Sequence, residues 1–226
     1  MSKRKSVVAA KVAPKRKVST KAKGAAQYIL DIAEELAQTR GYNGFSYADI
    51  AARLGVTKAS LHYHFQSKAE LGCALIERYR AFFGAALGAI DQQTANPAEK
   101  LRRYVALYDA VMRNDRICLC GMLAAEYATL PASMQKQLTL FFDANEKWLT
   151  TVLEDGSRAG SFSIAGEPNE RARAVLGALE GAMLVARSYG DPRRFRAAAE
   201  YVLADLCKCE PGGGLVPKTG RASKRN

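Results

Sequence analysis

The sequence predicts an all-α protein in which an N-terminal three-helix unit of helix-turn-helix type precedes a larger C-terminal helical body. Apolar residues recur with a helical period along almost the whole chain, and no run alternates between apolar and polar residues as a strand does. Hydrophobic residues make up 48% of the 226 positions, as in a folded globular protein. Capping and stop residues divide the chain into short helices first and longer ones afterwards.

Charge separates the ends of the chain from its middle. Residues 1–23 contain nine Lys or Arg and residues 211–226 contain four, with no acid in either segment, whereas residues 24–210 contain 21 basic and 22 acidic residues. Such basic ends are typical of solvated arms that bind a polyanion, first nucleic acid and second an anionic membrane, or of a plain solubilising tail. We predict a basic disordered arm (1–23), a helix-turn-helix domain (24–70), a helical body (71–210) and a basic disordered tail (211–226).

Several other classes of protein do not fit the sequence. The basic N-terminal segment has no apolar core of signal-peptide length, and no run of about 18 apolar residues could span a membrane. Five irregularly spaced cysteines favour reduced thiols in a cytoplasmic protein over a disulfide framework. There is no P-loop, no G-x-G-x-x-G, no G-x-S-x-G and no metal-spaced histidine set. We therefore expect a protein that is not an enzyme and has no metal, cofactor or membrane partner.

Helix boundaries follow from capping residues. Ser46, Thr57 and Ser67 are suited to begin helices, while Gly41 and Gly55 can supply left-handed stops. The predicted helices run, approximately, over 21–40, 46–54, 58–65, 67–90, 98–114, 117–130, 131–160, 169–190 and 192–208.

The segment 46–65 has the pattern of a helix-turn-helix, two short capped helices joined by Gly55–Val56. Ala51 is small where the two helices must cross closely, and Gly55 can adopt the positive φ of the turn. Apolar side chains stand where the unit must pack on itself and on the first helix, at Ile50, Leu54, Val56 and Leu61.

The second helix of this motif presents a face that suits a DNA major groove. Residues four apart share a face, so Leu61 and Phe65 point inward together. The outward face combines a cation, an imidazole, a phenol and small residues, from Lys58, Ala59, His62 and Tyr63, with Ser60 and His64 on its flank. Lys58 can contact guanine edges or phosphates, Ala59 can contact a thymine methyl group, and the aromatic polar groups can contact phosphates.

His62 and His64 are the only histidines in the chain. Two residues apart on a helix, they point about 200° apart and cannot chelate one ion. Metal ligation would need further ligands, and only Glu70 is near in sequence. A catalytic pair lacks a nucleophile pattern. The plain alternative to DNA contact is an exposed His62 and a partly packed His64.

The stretch "GYNGFSYADIAARLGVTKASLHYHFQSKAEL" resembles the DNA-binding signature of the TetR family of bacterial transcriptional regulators, over about residues 24–71. The resemblance implies a homodimer that reads a palindromic double-stranded DNA operator and releases it when a small-molecule effector binds in the helical body. It also implies that the last two long helices form a four-helix dimer interface. By position, the implied DNA contacts are Ser46, Tyr47, Lys58, Ala59, Ser60, His62, Tyr63, His64 and Lys68. Tyrosine is commoner in the family at the position of His62.

Charge adds an expectation that the resemblance does not supply. Residues 24–70 carry four basic and five acidic side chains, so the DNA-reading unit is about neutral. We therefore expect the arm at 1–23 to supply much of the non-specific attraction to phosphate and to lie along the minor groove.

The body offers candidates for an effector pocket and for a dimer interface. Bulky side chains that could line an apolar pocket are Tyr104, Tyr108, Met112, Cys118, Met122, Tyr127, Phe141 and Trp148. A stripe that could form a twofold interface comprises Val175, Leu179, Ala182, Met183, Ala186, Phe195 and Val202. Both sets have an ordinary alternative, since such stripes more often form the core of a single chain.

Cys118 and Cys120 lie in "RICLCGML" and point to opposite sides of a helix. Such cysteines are often small buried hydrophobes. Alternatively, Arg113, Arg116 and the start of a helix could lower a thiol pKa and make an oxidant or electrophile sensor.

The sequence as a whole favours a ligand-responsive transcriptional regulator, most simply a homodimeric repressor. The alternatives are an activator, a thiol-based oxidant-sensing regulator and, from another class, an architectural DNA-binding protein.

Overall fold

The computed structural model describes residues 24–206. The predicted basic arm and tail, with Cys207 and Cys209, lie outside the described residues. The helices are α1 (Ala25–Arg40), α2 (Tyr47–Leu54), α3 (Lys58–His64), α4 (Lys68–Gln93), α5 (Pro97–Met112), α6 (Leu119–Ala125), α7 (Ala132–Arg158), α8 (Pro168–Ser188) and α9 (Pro192–Leu206). Residues 24–206 contain no β-strand, which confirms the all-α prediction. In the same span, no helix is both long enough and apolar enough to cross a membrane.

Helices α1 to α3 form a small unit, here called the head, whose turns follow the predicted caps. Thr57 Oγ1 accepts the Ser60 N–H at the start of α3 (3.3 Å). Gly55 ends α2 with φ +70°, a left-handed conformation that favours glycine because it lacks a Cβ. Helix α1 begins at Ala25, and the expected start at Lys21 lies outside the described residues.

The helix predicted over 117–130 is two shorter elements. Helix α6 ends at Ala125, and a 3-10 turn spans Tyr127–Thr129. The Thr129 N–H bonds the Glu126 carbonyl three residues back (2.9 Å). An α-helix and a single 3-10 turn place apolar residues alike over so short a span, so periodicity could not separate them.

The body, helices α4 to α9, is organised around an aromatic core. Phe83 of α4 packs edge-on against Tyr104 (6.1 Å between ring centroids), Tyr108 (5.8 Å) and Phe141 (5.4 Å). Buried residues of head and body belong to one hydrophobic cluster. The predicted boundary at residue 70 falls inside the continuous helix α4, so that helix belongs to both units.

Ion pairs and hydrogen bonds also join the head to the body. Arg78 of α4 binds Asp31 (2.8 Å) and Glu34 (2.5 Å) of α1. Arg187 of α8 donates to the carbonyl oxygens of Gln38 (3.0 Å) and Thr39 near the end of α1. The head is therefore attached to the body by side chains as well as through α4.

Candidate nucleic-acid interface and effector grooves

Helix α3 exposes the face that the sequence predicts. Leu61 and Phe65 are buried and attach the helix to the head. Lys58, Ala59, Ser60, His62 and Tyr63 are exposed, and His64 is half-buried. Tyr63 is 86% exposed. The exposed face thus combines a cation, an imidazole, a phenol and a hydroxyl, which are side chains that can contact base edges and phosphates.

Side chains of α2 fix the orientation of α3. The Tyr47 hydroxyl donates to the Phe65 carbonyl (2.8 Å), and the Tyr47 ring packs against the His62 ring (4.7 Å between centroids). Burial, with a smaller contribution from Glu70, raises the pKa of Tyr47 to about 12, so its hydroxyl remains a donor at neutral pH. Tyr47 thus holds α3 in place, and a large part of its side chain is already engaged.

The two histidines have different neighbours, as their spacing on a helix requires. His62 lies against Tyr47, and its Nδ1 is 3.1 Å from the Gln66 carbonyl oxygen. His64 packs edge-on against Tyr63 (5.2 Å). In the part of the chain that the structure describes, no group of three or more His, Cys, Asp or Glu side chains is arranged to hold a metal ion.

Ser46 caps α2 at the edge of the same surface. Its N–H and its hydroxyl both donate to Asp49 Oδ2 (2.8 and 2.7 Å). These hydrogen bonds lower the pKa of the exposed Asp49 carboxyl, which stays ionised at neutral pH. Ser46 therefore lies at the positive end of a helix, a position at which proteins often bind phosphate.

Lys68 has a different role from the predicted direct contact. Its Nζ donates to the carbonyl oxygens of Tyr42 and Phe45 and lies over both of their rings, 4.4 and 4.5 Å from the centroids. Burial lowers the pKa of this ammonium group. Two of the three N–H groups of Lys68 therefore fix the turn before α2, which is the role that the structure gives it; a contact with DNA through the third stays a prediction.

A carboxylate of the body, which no sequence pattern indicated, binds the same turn. Glu126, just after α6, accepts the N–H groups of Tyr42 (2.5 Å) and Asn43 (3.2 Å). The Asn43 side chain also donates to Thr129 Oγ1 (2.8 Å). More than 80 residues separate these partners, and no local pattern could have paired them.

The predicted pocket residues do not line one cavity. Tyr104, Tyr108, Met112, Cys118 and Phe141 are buried, and Met122 and Trp148 are half-buried. The tyrosine hydroxyls are 3.0 Å apart and Tyr104 donates to Asn145 Oδ1 (3.2 Å), so these side chains fill the core. Trp148 stacks on Tyr104 (5.4 Å).

Tyr127 departs furthest from the prediction for the pocket. It is 48% exposed, because the 3-10 turn carries it away from the core. We therefore remove it from the candidate effector site.

Met112 lines a groove of about 270 Å³ with residues of α8 and Pro192 of α9, and two other grooves lie beside the aromatic core. The α4/α7 groove, about 310 Å³, is lined by Glu77, Arg80, Ala81, Phe83, Gly84, Leu87, Phe141, Ala144 and Asn145. The α6/α8 groove, about 320 Å³, is lined by Gly121, Ala124, Ala125, Phe142, Glu146, Arg173, Leu176, Gly177, Glu180 and Leu184. Both volumes fall at the lower end of the range for small-molecule sites.

The thiols lack the environment of a reactive cysteine. Burial, together with the nearby Glu180 carboxylate, raises the pKa values of Cys118 and Cys120 well above the usual range. Arg113 and Arg116, which in the alternative interpretation could lower these values, instead bind Asp109 (2.7 Å) and Glu35 (3.2 Å). That interpretation of the thiol pKa is therefore wrong, because desolvation opposes the thiolate and both arginines are engaged elsewhere.

The predicted dimer stripe is also corrected. Val175, Leu179, Met183, Ala186 and Phe195 are buried within the single chain, and Ala182 and Val202 are half-buried. The opposite face of α8 is exposed; beyond the polar Asn169, Glu170 and Arg173 near its start, it consists of Ala174, Gly177, Ala178, Gly181, Leu184, Val185 and Ser188. On α9 the exposed side chains include Ala197, Tyr201 and Ala204. The more apolar stripe packs on the chain's own core, and the stripe of smaller residues remains uncovered.

Glu180 of α8 is a further functional candidate that the sequence did not reveal. Its Oε1 is buried and has no hydrogen-bond partner. Burial raises the pKa of this carboxyl to about 7, while contacts with Cys118 and Tyr108 favour the ionised form. An acidic group held this way is neutral more often than a solvated glutamate.

We expect Glu180→Gln to stabilise the protein increasingly as pH rises from 5 to 8. The pKa of Glu180 is higher in the folded chain, at about 7, than its ordinary value of 4.5. The folded state then binds more protons than the unfolded state between these values, so the free energy of unfolding falls as pH rises through them. Between pH 5 and 8 the free energy of unfolding of the variant, relative to that of wild type, should rise by on the order of 2 kcal/mol.

Urea unfolding at several pH values measures this gain. Glu154→Gln, on the exposed face of α7, is the matched control and should leave the pH dependence unchanged. A constant difference between Glu180→Gln and wild type from pH 5 to 8 would contradict the assignment.

Comparisons with known proteins agree with the geometry of the head and of the body. Residues 29–74 match the family described as bacterial regulatory proteins, tetR family, and residues 97–202 match the tetracyclin repressor-like C-terminal domain. A TetR-family regulator from Agrobacterium tumefaciens has a TM-score of 0.78 and 34% identity, covering 81% of this chain and 97% of that one. A TetR regulator from Legionella pneumophila has a TM-score of 0.74 and 31% identity, covering 80% and 97%. Transcriptional regulator AcuR of Cereibacter sphaeroides is 27% identical over 152 residues, 66% of this chain and 69% of the relative.

Proposed function

The chain belongs to the TetR family of bacterial regulatory proteins and is a ligand-responsive DNA-binding transcriptional regulator; from this premise we propose that it is a homodimeric repressor of a palindromic operator. The observation that carries the proposal is the exposed face of α3, with Lys58, His62 and Tyr63 on a helix anchored by Leu61. A helix of this kind reads base edges in the major groove while neighbouring polar groups bind phosphates.

The contacts divide into reading and positioning groups. Lys58, Ala59, Ser60, His62, Tyr63 and the half-buried His64 face the groove. Ser46, whose own donors are engaged with Asp49, places the positive end of α2 toward the phosphate backbone. Tyr47 and Lys68 orient these elements through hydrogen bonds to backbone carbonyls. Because the head is about neutral, the arm at 1–23 adds the non-specific phosphate attraction.

The exposed faces of α8 and α9 support the homodimer. Gly177 and Gly181 have open space where a side chain would project, so a second helix can approach their backbone closely. Leu184, Val185 and Tyr201 are exposed on the same surface, and Tyr201 is 78% exposed. Small residues flanked by apolar ones suit a twofold interface in which each helix packs against its copy.

Val185→Glu is expected to convert the protein to a monomer and to weaken operator binding more than 100-fold. Val185 is 54% exposed, so a charge there is tolerated by the isolated chain but becomes buried in the proposed dimer. A monomer loses the gain from binding two half-sites together. Light scattering after size-exclusion chromatography gives the mass, and fluorescence anisotropy gives the affinity.

Leu140→Glu is the matched control, since Leu140 is also partly exposed but lies on α7. A dimeric Val185→Glu protein with normal affinity would place the interface elsewhere.

Direct binding tests the function itself. The protein is titrated against DNA from its own upstream intergenic region and against a scrambled duplex of equal length, at one stated salt concentration. A preference of about 10³-fold or more supports a sequence-reading regulator. Equal affinity for all regional fragments and the scrambled duplex would favour the architectural alternative, in which the basic arms do the binding. A thiol-based trigger is not favoured, because Cys118 and Cys120 are buried.

A further inference from the structure

Glu180 presents an unsatisfied acceptor in the middle of the body. Its Oε1 is buried without a partner, whereas its Oε2 lies against the backbone of α6, where a Cβ at Gly121 would be only 2.2 Å away. Contacts with the side chains of Cys118 and Tyr108 favour the ionised carboxylate. Buried acceptors are normally paired, and an unpaired one destabilises the fold unless something else binds it.

Glu180 is also one of the residues that line the α6/α8 groove, which has a distinct chemistry. Its walls are apolar at Ala124, Phe142 and Leu176. Its charged side chains are Glu146, Arg173 and Glu180, and the arginine is bound to Glu146 (3.2 Å). The groove therefore combines an apolar surface with a net negative charge. It borders the proposed dimer face, with which it shares Gly177 and Leu184, so a bound ligand would lie beside that interface.

We propose that the α6/α8 groove binds a small organic ammonium compound, which draws the buried Glu180 carboxyl toward the groove, donates an N–H to its Oε1 and packs its apolar part against Phe142 and Leu176. This inference rests on the proposed function, since it names the chemical class of the effector. An ammonium group supplies the missing donor and is attracted by the two carboxylates of the groove. An anion of the same size would be repelled by both carboxylates, and Arg173 is already paired with Glu146.

The position of Gly121 links this site to the head. Glu180 contacts Gly121 in the first turn of α6, and Glu126 directly after that helix binds the turn before α2. A ligand that moves the Glu180 carboxyl thus acts on a seven-residue helix whose other end contacts the DNA-reading unit.

Binding of a cation should tighten as pH rises from 6 to 8. The groups that face Glu180 are Tyr79 of α4, Tyr104 and Tyr108 of α5, Cys118 and Cys120 at α6, and, across the groove, Glu146 of α7 and Arg173 of its own helix. The burial that raises the pKa of Glu180 to about 7 leaves it largely protonated at pH 6. An ammonium group binds the ionised form, so affinity should increase up to about tenfold over this range.

Isothermal titration calorimetry on the full chain tests the proposal without DNA. The probes are benzylammonium chloride, benzyl alcohol and sodium benzoate, which share a ring and differ in the polar group. We expect benzylammonium to bind at least tenfold more tightly than either other probe at pH 8, and more weakly at pH 6. No binding of benzylammonium, or equal binding of benzoate, overturns the proposal.

The Glu180→Gln variant tests whether the Glu180 carboxylate, and not the rest of the groove, binds the ammonium group. It should lower benzylammonium affinity at least tenfold and remove the pH dependence, whereas Glu154→Gln, outside the groove, should change neither. A Glu180→Gln protein that binds benzylammonium as wild type does overturns the assignment of Glu180. In wild type, operator binding without ligand is measured in parallel. If the wild-type protein does not bind operator, the proposed function is contradicted. If it binds operator normally but does not bind benzylammonium, only the proposed chemical class of the effector is contradicted.

Discussion

Tyr63→Ala is expected to lower operator affinity by about 10- to 100-fold while leaving the free energy of unfolding unchanged within about 0.5 kcal/mol. The Tyr63 ring is 86% exposed on α3 and contacts His64, so its removal costs the folded chain little. In the complex the same ring would be covered by DNA, and a contact of this kind contributes about 1 kcal/mol or more in each half-site. Because a dimer binds two half-sites, the loss of binding free energy is doubled.

Fluorescence anisotropy with labelled operator at fixed salt measures the affinity, and urea unfolding measures the stability. Tyr127→Ala is the matched control, because Tyr127 is also an exposed tyrosine but lies in the 3-10 turn of the body. Its operator affinity should equal that of wild type. Unchanged affinity of the Tyr63→Ala protein would show that α3 does not present this face to DNA.

Glu126→Ala is expected to lower the free energy of unfolding by about 2 kcal/mol and to weaken operator binding as well. The carboxylate accepts two backbone N–H groups of the turn that precedes α2, from Tyr42 and Asn43. Hydrogen bonds to charged groups contribute about 1.5–3 kcal/mol each, partly offset when water replaces the acceptor. The turn also carries the carbonyl oxygens that bind Lys68, so its loosening should propagate to α2.

Glu126→Gln gives an internal check. The amide keeps one acceptor oxygen, so this variant should lie between Glu126→Ala and wild type in both stability and affinity. Glu154→Ala is the control for loss of a surface carboxylate. If Glu126→Ala unfolds as wild type does and binds operator normally, the contact between α6 and the head carries neither stability nor function.

The same contact explains how the body can influence the head. Helix α6 has seven residues, with Gly121 against Glu180 near its start and Glu126 directly after its end. A short helix moves as a unit because its internal hydrogen bonds are stiffer than its side-chain contacts. A ligand bound in the α6/α8 groove, as proposed, would therefore strain the hydrogen bonds from Tyr42 and Asn43 to Glu126.

Local sequence by itself determined the head. Capping at Ser46 and Thr57, the left-handed turn at Gly55 and the inward position of Leu61 all depend on residues within four positions of one another. The exposed face of α3 follows from the same spacing. These features were predicted because helix geometry converts sequence separation directly into direction.

The tertiary structure alone decided which apolar stripe of α8 is buried. The sequence offered a stripe through Leu179 and Met183 and could not say whether the chain's own core or a second copy covers it. The structure places both residues in the core and leaves Gly181 and Val185 exposed. Glu126, Glu180 and Lys68 acquire their roles from partners far along the chain or across a helix interface. Long-range packing decides such roles, because burial and pairing depend on what the rest of the chain brings near, which no local period encodes.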